Sequence, residues 1–277
     1  MKIGILSKRK TMFTHELKAN LENRGFTVTI YTLENLIINE NLLNNDFYIL
    51  KSKNLFFLYA GYYLEANNIL VIPKPHISFV QKNRIQSNFL MKKIGILTPD
   101  IYLATADTFR NELREYPYIL KPIMGSGSKG VKIIRSIEDL ELGNDKIVYL
   151  EKYIKGLHYN VYFIGDSICT LIKPPLSNEH VDMKKIDTPD DIKNLINKWI
   201  AYFNGEVLFG HLDIVREEFS NKLYTVDTGS FPEFVHYTTK EGKATAVKEI
   251  SNIILGQFKK EKNKKGNQQK AGKTGIT

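Results

Sequence analysis

The sequence predicts an α/β protein: a parallel, doubly wound N-terminal unit followed by two α+β lobes. Three observations carry this prediction. The first 75 or so residues alternate strand and helix patterns. A glycine-serine loop, residues 125–130 (GSGSKG), joins two strand patterns instead of a strand and a helix. Two aspartates, Asp213 and Asp227, stand on consecutive strand patterns late in the chain. At 277 residues the chain has room for two or three compact units.

The elements follow in order. Residues 2–6 (KIGIL) read as a buried strand, and 15–24 as an amphipathic helix with Leu17 and Leu21 one turn apart, ended by Gly25. Residues 26–31 (FTVTIY) alternate and are β-branched, which marks a second strand. Strands at 47–50 and 69–72 flank a helix at 55–65, and Pro73 and Pro75 close the unit. A helix is expected over 82–94, ended by Gly95. Strands at 118–121 and 131–135 flank the glycine-serine loop, and a short helix at 136–142 has Ser136 at its cap and Asp139 at its third position. A strand covers 146–151. Strands 160–164 and 168–172 form a hairpin over Gly165-Asp166. A long helix covers 188–203 with Pro189 first, strands cover 206–217 and 223–227, and a helix at 245–258 closes the fold. The expected units are 1–76, 77–154 and 155–258, with a disordered basic tail at 259–277.

Bulk properties narrow the function classes. Hydrophobic content of 43% and charged content of 25% are those of an ordinary globular protein. No run reaches the ~18 apolar residues of a membrane span, and the N-terminus has no signal-peptide core. One cysteine, Cys169, excludes an internal disulfide and fits a reducing cytoplasm. Seven lysines and one glutamate in 259–277 account for +6 of the net +9, so the body carries only +3. Charge therefore does not point to a specific nucleic-acid partner. A monomer acting on a small, anionic molecule is expected. Residues 266–274 mimic a phosphate-binding loop, but the glycine spacing is one residue too long and no strand precedes them.

The chemistry lies in the later two units. A hairpin loop rich in glycine suits a flap whose N–H groups fold over phosphates, with Gly125, Ser126, Gly127 and Ser128 as donors or close-approach points. Lys121 just before it can aim a fixed charge at phosphates. Paired carboxylates at Asp213 and Asp227 are a Mg²⁺ site that would bridge phosphates. Between them, Glu151, Tyr153 and Ile154 end a strand where a two-lobed nucleotide site passes from lobe to lobe, with backbone groups free for an adenine edge.

Lys-Pro with Gly-Ser-Gly-Ser-Lys-Gly-Val, then Glu-x-Tyr-Ile, Leu-Asp-Ile-Val and Asp-x-x-x-Phe-Pro resembles the ATP-grasp superfamily over about residues 2–258. The resemblance implies a Rossmann-like N-terminal domain, two lobes clamping ATP with Mg²⁺, and phosphoryl transfer. Local detail is more similar to the inositol 1,3,4-trisphosphate 5/6-kinase branch, in Lys173-Pro174-Pro175-Leu176 and in Asp227, Phe231, Pro232 and Phe234. That likeness implies a kinase acting on an inositol phosphate or a similar polyhydroxylated substrate. Arg84 would contact ATP, Lys173 would reach the transferred phosphate, and Lys8, Lys10, Lys51 and Lys129 would clamp an anionic substrate beside Asn160 and Glu233. The alternative is a RimK-like carboxylate–amine ligase working through an acyl phosphate, and a second is an inactive ATP-binding module. Both branches carry a metal-binding asparagine where this chain has Gly229, so the missing ligand would come from water, a carbonyl or Ser230.

Overall fold

The computed structural model describes residues 1–125, 130–140, 146–174, 183–234, 237 and 243–271. The N-terminal sheet is built from β1 (Lys2–Leu6), β2 (Thr27–Tyr31), β3 (Phe47–Leu50) and β4 (Leu70–Ile72), in the order β2-β1-β3-β4 and parallel throughout. All of β3 and all but Lys2 of β1 are buried, as the unbroken apolar runs require of strands covered on both faces. Helices α1 (Met12–Glu22) and α2 (Leu55–Ala66) supply the crossovers. Helix α1 starts three residues before the expected position. Thr11 caps it through a reciprocal pair with Thr14, at 2.8 and 3.3 Å, and two threonines do not advertise a capping box.

A helix that the sequence did not announce, α3 (Pro75–Lys82), precedes the helix expected over 82–94, which is α4 (Arg84–Lys93). Asn83 between them is extended, and its side chain accepts hydrogen bonds from the N–H groups of Ile85 and Gln86, at 3.1 and 3.2 Å. Pro75, read as a terminator, instead occupies the first position of α3, where a missing N–H costs nothing.

The central lobe holds β5 (Ile101–Thr105), α5 (Ala106–Glu112), β6 (Tyr118–Leu120), β7 (Lys132–Ile134) and β8 (Ile147–Lys152). Its antiparallel order is β5-β8-β6-β7. The sequence did not announce β5 or α5, because β5 is half-buried on both faces and lacks alternation. The Ser136–Asp139 cap is present in a short 3-10 turn, with the Asp139 carboxylate accepting from the Ser136 N–H at 3.3 Å.

The last lobe is a five-stranded sheet of β9 (Gly156–Ile164), β10 (Ser167–Lys173), β11 (Lys184–Ile186), β12 (Phe209–Glu217) and β13 (Leu223–Gly229), in the order β11-β10-β9-β12-β13. Helix α6 (Asp190–Tyr202) lays Ile192, Ile196 and Trp199 against one face, with Pro189 as its cap instead of its first residue. The other face shares a core with the N-terminal unit. Ile3, Ile5, Phe13 and Leu17 pack with Tyr162, Cys169, Phe231 and Phe234, and with Ile250 and Ile254 of α7 (Lys243–Ala271). Cys169 is buried in that core and forms no disulfide, as expected. Helix α7 runs 13 residues beyond the expected 258, through most of the segment read as a disordered tail. Lys, Gln, Glu and Ala, which fill it, are strong helix formers. Among the described residues no helix is long and apolar enough to cross a membrane.

Candidate active site

Strand β6 delivers Lys121 into the space between the central and last lobes. Its ammonium donates to Glu151 Oε2 at 2.5 Å and to the Val226 carbonyl at 2.8 Å. Tyr149 donates from its hydroxyl to the other Glu151 oxygen at 2.9 Å. Lysine and glutamate are both buried. The expected cation thus stands at the lobe interface, and Glu151 acts through its side chain as its counter-ion.

Arg84 opens α4 and is 6% exposed. Its guanidinium donates to the Pro122 carbonyl and pairs with Asp227 Oδ2 at 3.2 Å. Gly125 lies against it: a Cβ added there would sit 2.4 Å from Arg84 Nη1. A side chain at this position would displace the arginine, which explains a glycine where the flap begins. Ser126, Gly127, Ser128 and Lys129 lie outside the described residues.

Asp213 and Asp227 are direct cross-strand partners on β12 and β13, with an irregularity in register just after Asp213. They face the same side of the sheet. Lys173, at the end of β10, pairs with Asp213 Oδ2 at 2.9 Å. Each carboxylate therefore has one cation in direct contact, Arg84 for Asp227 and Lys173 for Asp213. Burial works to raise the Asp227 pKa, but Arg84, Lys53 and Lys121 outweigh it and bring it down to about 2. Asp213 Oδ1 and Ser230 Oγ are buried without a hydrogen-bond partner among the described residues. Two opposed carboxylates with a spare oxygen fit a divalent cation that also binds phosphate. Among the described residues no three His, Cys, Asp or Glu side chains already form a cage, so phosphate oxygens or water must complete the coordination.

Tyr153 and Ile154 line a cavity of about 830 Å³ together with Leu97, Thr98, Lys152 and Tyr224. Its walls are largely apolar, as an adenine ring requires. On the other side of Asp227 a second cleft, about 480 Å³, opens at the C-terminal ends of β1 and β3. Lys8, Arg9, Lys51, Lys53 and Lys82 line it, and Glu233 is among its few acids.

The sequence-predicted substrate residues meet different fates there. Lys51 is buried and turned inward, donating to Glu233 Oε1 at 3.0 Å and to the Phe231 carbonyl at 3.1 Å. Thr11 donates to the other Glu233 oxygen at 3.0 Å. The negative charge that Glu233 adds is thereby answered within the protein. Lys8 lines the cleft, Lys10 does not, and Asn160 stands opposite Asp213 in register. Sequence reasoning missed Arg9, Lys53, Lys82 and His211, which also line it. Burial lowers the Lys53 pKa to about 8 against the attraction of Asp227. Its ammonium donates to the Thr228 carbonyl at 3.1 Å. Only the triplet Lys51–Lys53 at the end of a parallel strand could have signalled it.

Known proteins share this architecture. Residues 82–200 match the ATP-grasp domain family. A D-alanine–D-alanine ligase of Wolbachia pipientis is 34% identical over 113 residues, covering 38% of this chain and 36% of the ligase, so the match spans about a third of that relative's length. A RimK domain ATP-grasp protein of Sphaerobacter thermophilus superposes with a TM-score of 0.74 at 12% identity, over 91% of this chain and 99% of that one. The D-alanine–D-alanine ligase of Bacillus anthracis does so with a TM-score of 0.69 at 18% identity, over 96% and 99%. D-alanine–D-alanine ligases stand among these similar proteins, which favours the ligase alternative over the inositol phosphate kinase that the local motifs suggested. The chain therefore has the ATP-grasp fold, and its residues 82–200 match the ATP-grasp domain family.

Proposed function

We propose that the chain is an ATP- and Mg²⁺-dependent carboxylate–amine ligase. The observation that carries this reading is that Asp227, the cross-strand partner of Asp213, lines a cationic cleft with Lys8, Arg9, Lys53 and Lys82, and also a small cavity whose Thr98 borders the apolar cavity at Tyr153-Ile154. The apolar cavity suits adenine and the cationic cleft a carboxylate. The resemblance to ligases supports the choice of reaction class.

Lys121 and Arg84 hold the phosphates, and Asp213 and Asp227 hold the metal. Bound Mg²⁺ neutralises the phosphate charge. Taking up nucleotide frees both aspartates, because phosphate oxygens replace them as partners of Arg84 and Lys173. A substrate carboxylate oxygen, drawn in by Lys8 and Arg9, attacks the terminal phosphorus and ADP leaves. The resulting acyl phosphate is attacked by an amine, the C–O bond to phosphate breaks, an amide forms and a proton is released. The residues act by position and charge.

Incubation with ATP, Mg²⁺ and panels of carboxylic acids and amines tests this, with hydroxylamine present to trap an acyl phosphate as a hydroxamate. Hydroxamate together with ADP and phosphate is the expected outcome, and Asp227→Asn should abolish it. A stable new phosphate ester, seen by phosphorus NMR with inositol phosphates, would replace the ligase by a kinase.

A further inference from the structure

Four positions form a rectangle on one face of the last sheet. His211 and Asp213 are two apart on β12, and Gly229 and Asp227 stand directly across from them on β13. Cross-strand side chains of this kind begin roughly 5 Å apart. Three corners carry donors and the fourth, Gly229, carries no side chain. The imidazole of His211 leans over that empty corner. A Cβ at Gly229 would fall 2.1 Å from His211 Cε1 and 2.5 Å from Nδ1. The ring therefore fills the space that a side chain at 229 would need. His211 Nδ1 is buried and has no hydrogen-bond partner among the described residues. The ring also lines the cleft that Asp227 lines.

A nitrogen buried without a partner is costly unless something binds it. Here the ring shares a sheet face with Asp213 and Asp227, and Asp213 also holds a spare buried oxygen. We propose that His211 becomes a third protein ligand of the nucleotide-bound divalent metal, closing in over the corner that Gly229 leaves without a side chain once the carboxylates part from Lys173 and Arg84; before that the three side chains form no cage. The inference rests on the nucleotide–metal reading above. Gly229 and His211 then form one exchange: the glycine removes a side-chain oxygen, and the room it leaves admits an imidazole from the neighbouring strand. The substitution changes metal preference. Magnesium favours oxygen donors, whereas manganese accepts an imidazole nitrogen beside carboxylates. The site should prefer Mn²⁺ over Mg²⁺.

The test uses the full chain saturated with ADP. Mn²⁺ is titrated in, free Mn²⁺ is read by electron paramagnetic resonance, and the bound ion is examined by electron spin-echo modulation. The wild-type chain should show nitrogen modulation of an imidazole. His211→Ala should lose it and bind Mn²⁺ at least about tenfold more weakly, since even residues behind a metal ligand are worth that much. The double variant His211→Ala, Gly229→Asn should regain Mg²⁺ binding with no imidazole signal. Metal-dependent ADP binding with no imidazole modulation in the wild-type chain overturns the assignment while leaving the nucleotide site intact. Unchanged Mn²⁺ affinity in His211→Ala overturns it equally. If ADP fails to bind with any metal, the nucleotide reading itself falls, and this inference with it. The wild-type modulation does not depend on whether any variant folds.

Discussion

Lys121 and Glu151 meet at 2.5 Å with both side chains buried, and the lysine also bonds the Val226 carbonyl across the lobe interface. Removing one partner leaves a buried charge, which costs about 3–5 kcal/mol, whereas replacing both with apolar residues is often near neutral. Glu151→Leu should therefore lower the denaturation midpoint sharply, and Lys121→Met with Glu151→Leu should restore most of it while abolishing nucleotide binding. Urea titration with an ADP-binding assay separates the two effects. Acid sensitivity has two distinct windows. Burial lowers the His158 pKa from 6.5 to about 4, with the charge of Lys173 adding to the effect. The folded state thus favours neutral imidazole. Its contribution is complete above pH 6.5 and is lost as pH falls through about 4, by up to about 3 kcal/mol. Asp227 acts lower: its pKa falls from 3.8 to about 2, so its contribution is full above pH 3.8 and disappears toward pH 2. His158→Gln should flatten the stability loss between pH 6.5 and 4 and leave the lower limb unchanged, measured by urea midpoints at a series of pH values.

Short elements decide where the site residues point. Asn83 separates α3 from α4 and makes Arg84 the first residue of the second helix. Its backbone N–H then bonds the Ile123 carbonyl at 3.1 Å, which ties the helix start to the strand that carries Lys121. Without the cap the N–H groups of Ile85 and Gln86 lose their acceptor. Asn83→Ala should cost about 1 kcal/mol by thermal melting. Asn83→Asp, which keeps the acceptor, should cost far less. The β12–β13 pair acts in the same way: an antiparallel register brings Asp213 and Asp227 opposite each other, and a slip of β13 by one residue would send Asp227 to the apolar face with Leu212 and Ile214.

At the scale of the molecule, the N-terminal sheet and the last lobe are not independent bodies. They share one core closed by α7, whose Ile250 and Ile254 are fully buried against residues from both. Phe258 stacks on Phe47 of β3 with ring centroids 4.6 Å apart. The cationic cleft opens between the same two units, so their packing sets its width. Ile250→Ala should cost about 2–5 kcal/mol. It should do so in one cooperative transition that intrinsic Trp199 fluorescence and far-ultraviolet circular dichroism report together. Two separated transitions would show that the units unfold alone.

The parallel N-terminal sheet, the hairpin over Gly165-Asp166 and the Lys121, Asp213 and Asp227 constellation were legible in the sequence. Each is written in local periodicity or in residue chemistry at short spacing, and the ligand classes follow from those residues. What the sequence could not express is partnership at a distance. Lys51 reads as a free phosphate clamp until folding sets it against Glu233, 182 residues away. Gly229 reads as a missing ligand until the register lays His211 over it. Lys53 and Lys82 become cleft residues only when two units close around them. Periodicity determines which face of a strand is buried. Only the packing of one unit on another determines which charge meets which, because such contacts exist solely between residues that the chain order keeps far apart.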